Sequence, residues 1–264
     1  MRRRLDLELV RRGLTESRAR AQEAIEAGLV LVSGTRADRA GRLVSPDEPV
    51  HLERPPTRFV SRGGEKLDHA LEVFGVDPSG RRCLDVGAST GGFTDCLLQR
   101  GAASVLALDV GKGQIDTRLR SDPRVEVMEG VNARDLAAAG VAPGYELAVA
   151  DVSFISVLLV LPAMASVTTG DLVVLVKPQF EAGRERVERG GVVRSASVHR
   201  DVVSEVVEGA TALGLGARDV VPSPLRGPAG NVEFFVHLIE GDPCVVGEAD
   251  IARAVERAHE GLLR

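Results

Sequence analysis

The sequence predicts an α/β chain, a mostly parallel, doubly wound sheet preceded by a small α+β module. Three observations carry this. Beyond about residue 80, short Val-, Leu- and Ala-rich runs alternate with longer amphipathic stretches, the pattern of a parallel sheet covered on both faces. The first fifty-odd residues form a separate helix–helix–strand unit of opposite charge. Between them lies "ERPPTRF", whose adjacent Pro55 and Pro56 stiffen a connection. With 264 residues, 44% of them hydrophobic, the chain can bury one core of roughly 150–200 residues plus a module. The expected division is 1–54 for the module, 55–63 for the linker and 64–264 for the larger domain, ending in a helix.

The elements follow in order. "LDLELVRRG" places Leu5, Leu7, Leu9 and Val10 on a short helix stopped by Gly13. "TESRARAQEAIEAG" starts a second helix at Thr15, a candidate N-cap, and stops it at Gly28. "LVLVSG" and "EPVHLE" read as short strands. In the larger domain, strands are expected at "RCLDVG", "SVLALDV", "VEVMEG", "ELAVADVSF", "DLVVLVKP", "ARDVVPSP" and "EFFVHLIE". Helices are expected near 64–75, 91–100, 155–166 and 198–213, and in the tail "EADIARAVERAHEGLLR". The charge-free stretch 152–170 is long enough to raise a membrane span. Pro162, its Ser and Thr residues and flanking Asp residues favour a strand end and a buried helix instead.

Charge is divided unevenly. Residues 1–62 hold 13 Arg against 9 acidic residues, while the whole chain carries −5. Seven arginines among the first twenty residues point to a polyanion partner. Cys83, Cys96 and Cys244 and the five His fit no metal spacing, and the cysteines read as free thiols in a reducing compartment. No apolar segment follows the arginines at the start, so no secretory signal is expected.

"CLDVGASTGGFT" is a strand, a turn of small residues and a helix start. It is neither a P-loop nor a dinucleotide fingerprint. Its small residues, Gly87, Ser89, Thr90, Gly91 and Gly92, let a ligand approach free amides at the helix start. Asp85 lies in the strand before them. Asp109 ends the next strand, 17 residues after Gly92, where an acid suits a ribose diol. Asn132 could meet an adenine edge. An adenosine ligand without a pyrophosphate pattern points to S-adenosylmethionine, with S-adenosylhomocysteine as product.

Lysine occurs only at positions 66, 112 and 177. Its ammonium loses a proton when desolvated or near other cations, whereas guanidinium does not. Lys177 ends an apolar strand, at the sheet edge where ligands bind. The bland alternative for each lysine is a structural ion pair.

"RLDLELVRRGLTESRARAQEAIEAGLVLVSG" resembles the RNA-binding domain first described in ribosomal protein S-four, matching at Arg4, Arg11, Arg12, Ser17, Arg18 and Gly28. "SRGGEKL", "LDVGASTGGFT", "ADVSF", "LVKPQFE" and "GNVEFF" together resemble the TlyA family of ribosomal RNA methyltransferases, also labelled haemolysins, with a Rossmann-like catalytic domain similar to the FtsJ 2′-O-methyltransferases. That resemblance implies a catalytic set at Lys66, Asp151, Lys177 and Glu233. Lys177 would be general base or hydroxyl orienter, Asp151 its holder, and Lys66 and Glu233 would position the hydroxyl and hold Lys177. It further implies methylation of cytidine riboses of 16S or 23S rRNA; the missing metal spacing and signal segment point to a cytoplasmic protein without metal or membrane partner, with no DNA partner and a monomer as the expectation. Arg4, Arg11, Arg12, Arg18, Arg20 and Arg62 would bind the RNA. The competing readings are a membrane-active haemolysin and a non-catalytic assembly factor.

Overall fold

The computed structural model describes residues 2–15, 17–53, 58–188 and 190–260. The chain forms two compact units, Met1–Thr57 and Arg58–Arg264. The expected linker prolines lie outside the described residues.

The first unit runs β1 (Arg3–Arg4), α1 (Leu5–Arg11), α2 (Arg18–Glu26), β2 (Val30–Val32), β3 (Thr35–Arg36), β4 (Leu43–Val44) and β5 (Val50–Leu52). β1 pairs with β4, and β2 is flanked by β3 and β5, all antiparallel. Leu5, Leu9, Ala21, Ile25, Val30 and Val32 make its core. The N-cap of α2 is Ser17, whose Oγ accepts from the Arg20 amide at 3.3 Å, rather than the expected Thr15. The helix begins two residues later than the Thr suggested.

The second unit is a seven-stranded sheet. Its strands are β6 (Arg82–Val86), β7 (Ser104–Asp109), β8 (Val125–Glu129), β9 (Tyr145–Ala150), β10 (Thr168–Val176), β11 (Leu215–Pro222) and β12 (Phe234–Glu240). Their spatial order is β11-β12-β10-β9-β6-β7-β8. All neighbours are parallel except that β12 runs against both β10 and β11. All seven expected strands are present. Successive strands are laid outward in opposite directions from the β6–β9 pair, which opens a crevice at the carboxyl ends of those two parallel strands.

Helices cover both faces. α3 (Arg62–Phe74), α4 (Gly92–Gln99) and α5 (Thr117–Arg120) pack on one; α6 (Leu161–Ala165), α8 (Ala196–Ala212) and α9 (Glu248–Glu260) on the other. α7 (Pro178–Glu181) is a single turn after β10. The helix expected over 155–166 is broken: residues 157–159 form a 3-10 turn and α6 starts only at Leu161. Pro162 lacks an amide proton, so it sits in the first turn of a new helix rather than inside a longer one. Val157, Val160, Leu161 and Met164 are fully buried against the sheet. At about 1.5–3 kcal/mol for each large apolar side chain, this burial accounts for the charge-free stretch. Among the described residues no helix is long and apolar enough to cross a membrane.

Candidate active site

The sheet register brings the four predicted residues to one edge. In the β9–β10 pairing Ala150 stands opposite Val174, and in the β6–β9 pairing it stands opposite Val86. Asp151 therefore leaves β9 beside Gly87, which leaves β6. A Cβ on Gly87 would lie 2.6 Å from the Asp151 carbonyl oxygen, and its φ is +84°, so only glycine allows this approach. Val176 of β10 pairs with Phe234 of β12. Because β12 is antiparallel, its start meets the end of β10, and Glu233 flanks Lys177. The fourth residue comes from α3. Ser61 caps this helix, accepting from the Gly63 amide at 3.3 Å. Its core stripe is Lys66, Leu67, Ala70 and Leu71, so helical spacing carries the lysine inward with its apolar neighbours.

Two ion pairs result. Lys177 Nζ lies 2.5 Å from Asp151 Oδ1 and donates to Ser153 Oγ at 2.8 Å. Lys66 Nζ lies 2.5 Å from Glu233 Oε2, with both side chains nearly covered. Lys177 is thus held by Asp151 and Ser153, not by Lys66 or Glu233. Glu233 Oε1 is buried without a partner among the described residues. A side chain at Gly227 would put its Cβ 2.5 Å from that oxygen, so the adjacent turn has to be glycine to make room for it.

Two cavities adjoin these pairs. The first, about 540 Å³, is lined by Lys66, Lys177, Glu233 and Asp151, with Arg62, Thr90, Gly92 and Phe180. The second, about 410 Å³, is lined by Asp109, Asn132, Val110 and Ile155. Gly87, Ser89, Asp151, Ser153 and Phe154 line both. Asp109 accepts the amides of Ser89 at 2.7 Å and Gly111 at 2.6 Å, bridging the loops after β6 and β7. Each of its oxygens retains a second lone pair for a ligand hydroxyl. Asn132 caps the 3-10 turn at 133–135, accepting from Arg134. Size, carboxylate and amide suit a nucleoside in the second cavity.

Asp85 and Gly91 line neither cavity. Asp85 is fully buried; its Oδ2 accepts from Thr94 Oγ1 at 2.6 Å, and Oδ1 has no partner among the described residues. Burial pushes its carboxyl up to about 7, against the Thr94 hydrogen bond. Burial likewise pushes the thiols of Cys83 and Cys96 up to about 12, leaving them unreactive.

Three residues were not expected. Ser153 is one, marked only by its place two residues after Asp151. Phe154 is 86% exposed with φ +68°, and its ring lies 5.1 Å from that of Phe180. A bulky residue in left-handed backbone at a cavity mouth is a feature of functional strain. Asn231 accepts the Val193 amide at 2.9 Å and donates to the Gly191 carbonyl at 2.8 Å, fixing the wall of the first cavity.

The six candidate RNA-binding arginines divide. Arg12 donates to Glu8 and to the carbonyls of Ser45, Pro46 and Glu48, and is largely covered. Arg4 and Arg18 both reach the buried Asp6, and Arg11 the buried Glu8. Arg20 pairs with Glu23 and is exposed. Arg62 lines the first cavity.

Similarity to known proteins agrees with this architecture. The S4 domain model matches residues 3–50. The "16S/23S rRNA (cytidine-2′-O)-methyltransferase TlyA" of Mycobacterium tuberculosis is 46% identical, over 97% of this chain and 96% of the relative. "Hemolysin A" of Brachyspira hyodysenteriae is 37% identical over 89% of this chain and 99% of the relative. The solved structure of a "Putative hemolysin from Streptococcus thermophilus" superposes with a TM-score of 0.79 at 39% identity, covering 99% of this chain and 97% of that one. The model of the FtsJ-like methyltransferases matches residues 59–239, the whole span that holds both cavities and both ion pairs, and the chain belongs to that family.

Proposed function

We propose that the protein uses S-adenosylmethionine to methylate the 2′-hydroxyl of a cytidine ribose in ribosomal RNA. The observation that carries this reading is the junction of two cavities at Asp151 and Ser153, with the amine of Lys177 held at that junction. Asp109 and Asn132 would hold the cofactor's ribose and adenine in the second cavity. When bound, it supplies an electrophilic sulfonium methyl group.

The remaining work falls to the chain's own residues. A ribose hydroxyl is a weak nucleophile at neutral pH, so it needs alignment and a proton acceptor. Asp151 and Ser153 orient Nζ of Lys177, which in its neutral form takes the hydroxyl proton. The resulting ammonium is neutralised by Asp151. The Lys66–Glu233 pair forms a rigid floor to the first cavity. Phe154, exposed between the cavities, offers a ring on which a flipped-out base can stack. The S4 match and the arginines of the first unit support an RNA substrate, and the name of the mycobacterial relative supports ribosomal RNA and cytidine.

Ribosomal subunits incubated with the protein and methyl-labelled S-adenosylmethionine test this. The label should map to a cytidine whose 3′ linkage becomes resistant to alkaline hydrolysis. Label on a base atom, or no transfer to either subunit or its RNA, overturns the reading.

A further inference from the structure

Outside the two cavities, a second cationic region lies beside the candidate active site. The segment Pro228–Glu233 forms part of the wall of the first cavity; Ala229 and its neighbours Gly230 and Val232 also line an adjoining cavity of about 280 Å³. That cavity shares Arg226 and Val232 with a third, of about 290 Å³, lined also by Arg257 and His69. Among the described residues no carboxylate lines either one. This is unusual for a body in which residues 63–264 hold 29 acidic side chains against 20 basic ones.

Most arginines around the sheet are neutralised. Arg81, Arg100, Arg118, Arg120, Arg124 and Arg186 each pair with a carboxylate. Arg194, at the rim of the first of these cavities, pairs with Glu188. Arg226 and Arg257 have no carboxylate partner among the described residues. Arg226 donates through Nη1 to the Gly230 carbonyl at 3.0 Å, which fixes the guanidinium across the turn and leaves its other N–H groups. Arg257 extends from the last turn of α9. Two histidines complete the wall. His199 Nδ1 lies 2.9 Å from His259 Nε2, and its Nε2 lies 3.1 Å from the Val193 carbonyl. Burial lowers both imidazoles, His199 to about 4, and the Arg226 charge pushes each the same way. The pair is neutral at physiological pH, so the positive charge of the groove is arginine's and does not titrate.

We propose that Arg226 and Arg257 hold phosphates of the RNA strand flanking the target nucleotide, along a groove that leaves the first cavity past Ala229. The proposal rests on the methyltransferase reading above. Paired arginines are spent on the fold; these two have no acid to displace among the described residues, and the fork of Arg226 is held by the Gly230 carbonyl in a geometry that suits phosphate. Strand contact here would fix the register of the flipped nucleotide, independently of the arginines in the first unit.

The test uses the full chain and ribosomal RNA, with affinity measured from low to high potassium chloride. Each phosphate contact made by a cation contributes about 0.7–0.9 to the slope of log affinity against log salt. Arg226→Gln with Arg257→Gln should lower that slope by about 1.4–1.8 and weaken binding at low salt at least about tenfold, with S-adenosylmethionine affinity unchanged. Arg226→Lys with Arg257→Lys should keep the slope. Arg257→Gln alone, at an exposed position without a side-chain hydrogen bond among the described residues, should lower it by about 0.7–0.9 and guards against misfolding of the double variant. Arg124→Gln, at the opposite edge of the sheet, should leave it unchanged. An unchanged slope in both glutamine variants overturns the proposal. So does an equal loss in Arg124→Gln, which would reduce the effect to bulk charge. Failure of the wild type to methylate RNA would instead strike the methyltransferase reading.

Discussion

The two units bury their acids differently. In the first, Asp6 and Glu8 are wholly covered and wholly satisfied: Asp6 by Arg4, Arg18 and Gln22, Glu8 by Arg11 and Arg12. In the second, Asp85 and Glu233 are as deeply buried, yet each keeps an oxygen without a partner. A buried lone pair left open costs about 1–3 kcal/mol, so a fold retains one where something else depends on it. The small unit saturates its buried acids; the large one leaves an oxygen open at Glu233, which lines the first cavity, and at Asp85, which lines none.

The comparison can be broken most sharply at Lys177. Lys177→Arg keeps a cation beside Asp151 but cannot release its proton, so single-turnover methyl transfer should fall by at least about a hundredfold while calorimetry shows S-adenosylmethionine affinity little changed. Retained turnover would reduce Lys177 to an ion-pair partner like Arg11. Phe154→Ala should raise KM for RNA about tenfold, the worth of one stacking contact, without altering the fold. The carboxylates give opposite pH signatures. Asp85 has a raised carboxyl, so it favours the folded state when protonated: stability should fall as pH rises from about 4 to about 7, by on the order of a few kcal/mol, and Asp85→Asn should flatten that slope in thermal melts. Glu8 is held down to about 2, first by the Arg11 hydrogen bond and then by Arg12. Its contribution is present above the ordinary carboxylate range and should vanish as pH falls from about 4.5 towards 2, a smaller effect read as convergence of wild type and Glu8→Gln in acid. The smallest effect is expected at Arg20, exposed and paired only to Glu23: Arg20→Gln should lower the salt slope of RNA binding by about 0.7–0.9.

Much of this was legible in the sequence because the signals are local. Runs such as "DLVVLV" have no amphipathic alternative to a buried strand, and all seven strands follow. The lysines could be singled out because the chain otherwise writes arginine. What was not legible depended on partners distant in sequence. Nothing in "LELVRR" reveals that Arg12 is spent on carbonyls at 45–48 while the exposed Arg20 is not. Asp85 alternates with core residues of β6, and strand parity alone does not say whether a carboxylate there reaches a cavity. Ser153 needed the exact placement of Nζ of Lys177. The helix expected over 155–166 is interrupted for a local reason: Pro162 has no amide proton to give and is accommodated only in the first turn of a new helix.

The antiparallel course of β12 has a temporal consequence. Lys66 and Glu233 are separated by 167 positions, and the register that sets Glu233 beside Lys177 exists only once β12 has slotted between β10 and β11. During synthesis β6 to β10 can pair before that happens, whereas β11, whose only neighbour is β12, cannot. The half of the site carried by β6, β9 and β10 can therefore form first, and the carboxylate that completes it comes with β12. On the reading proposed above, methyl transfer should begin only after β12 has paired, so its onset would time that pairing.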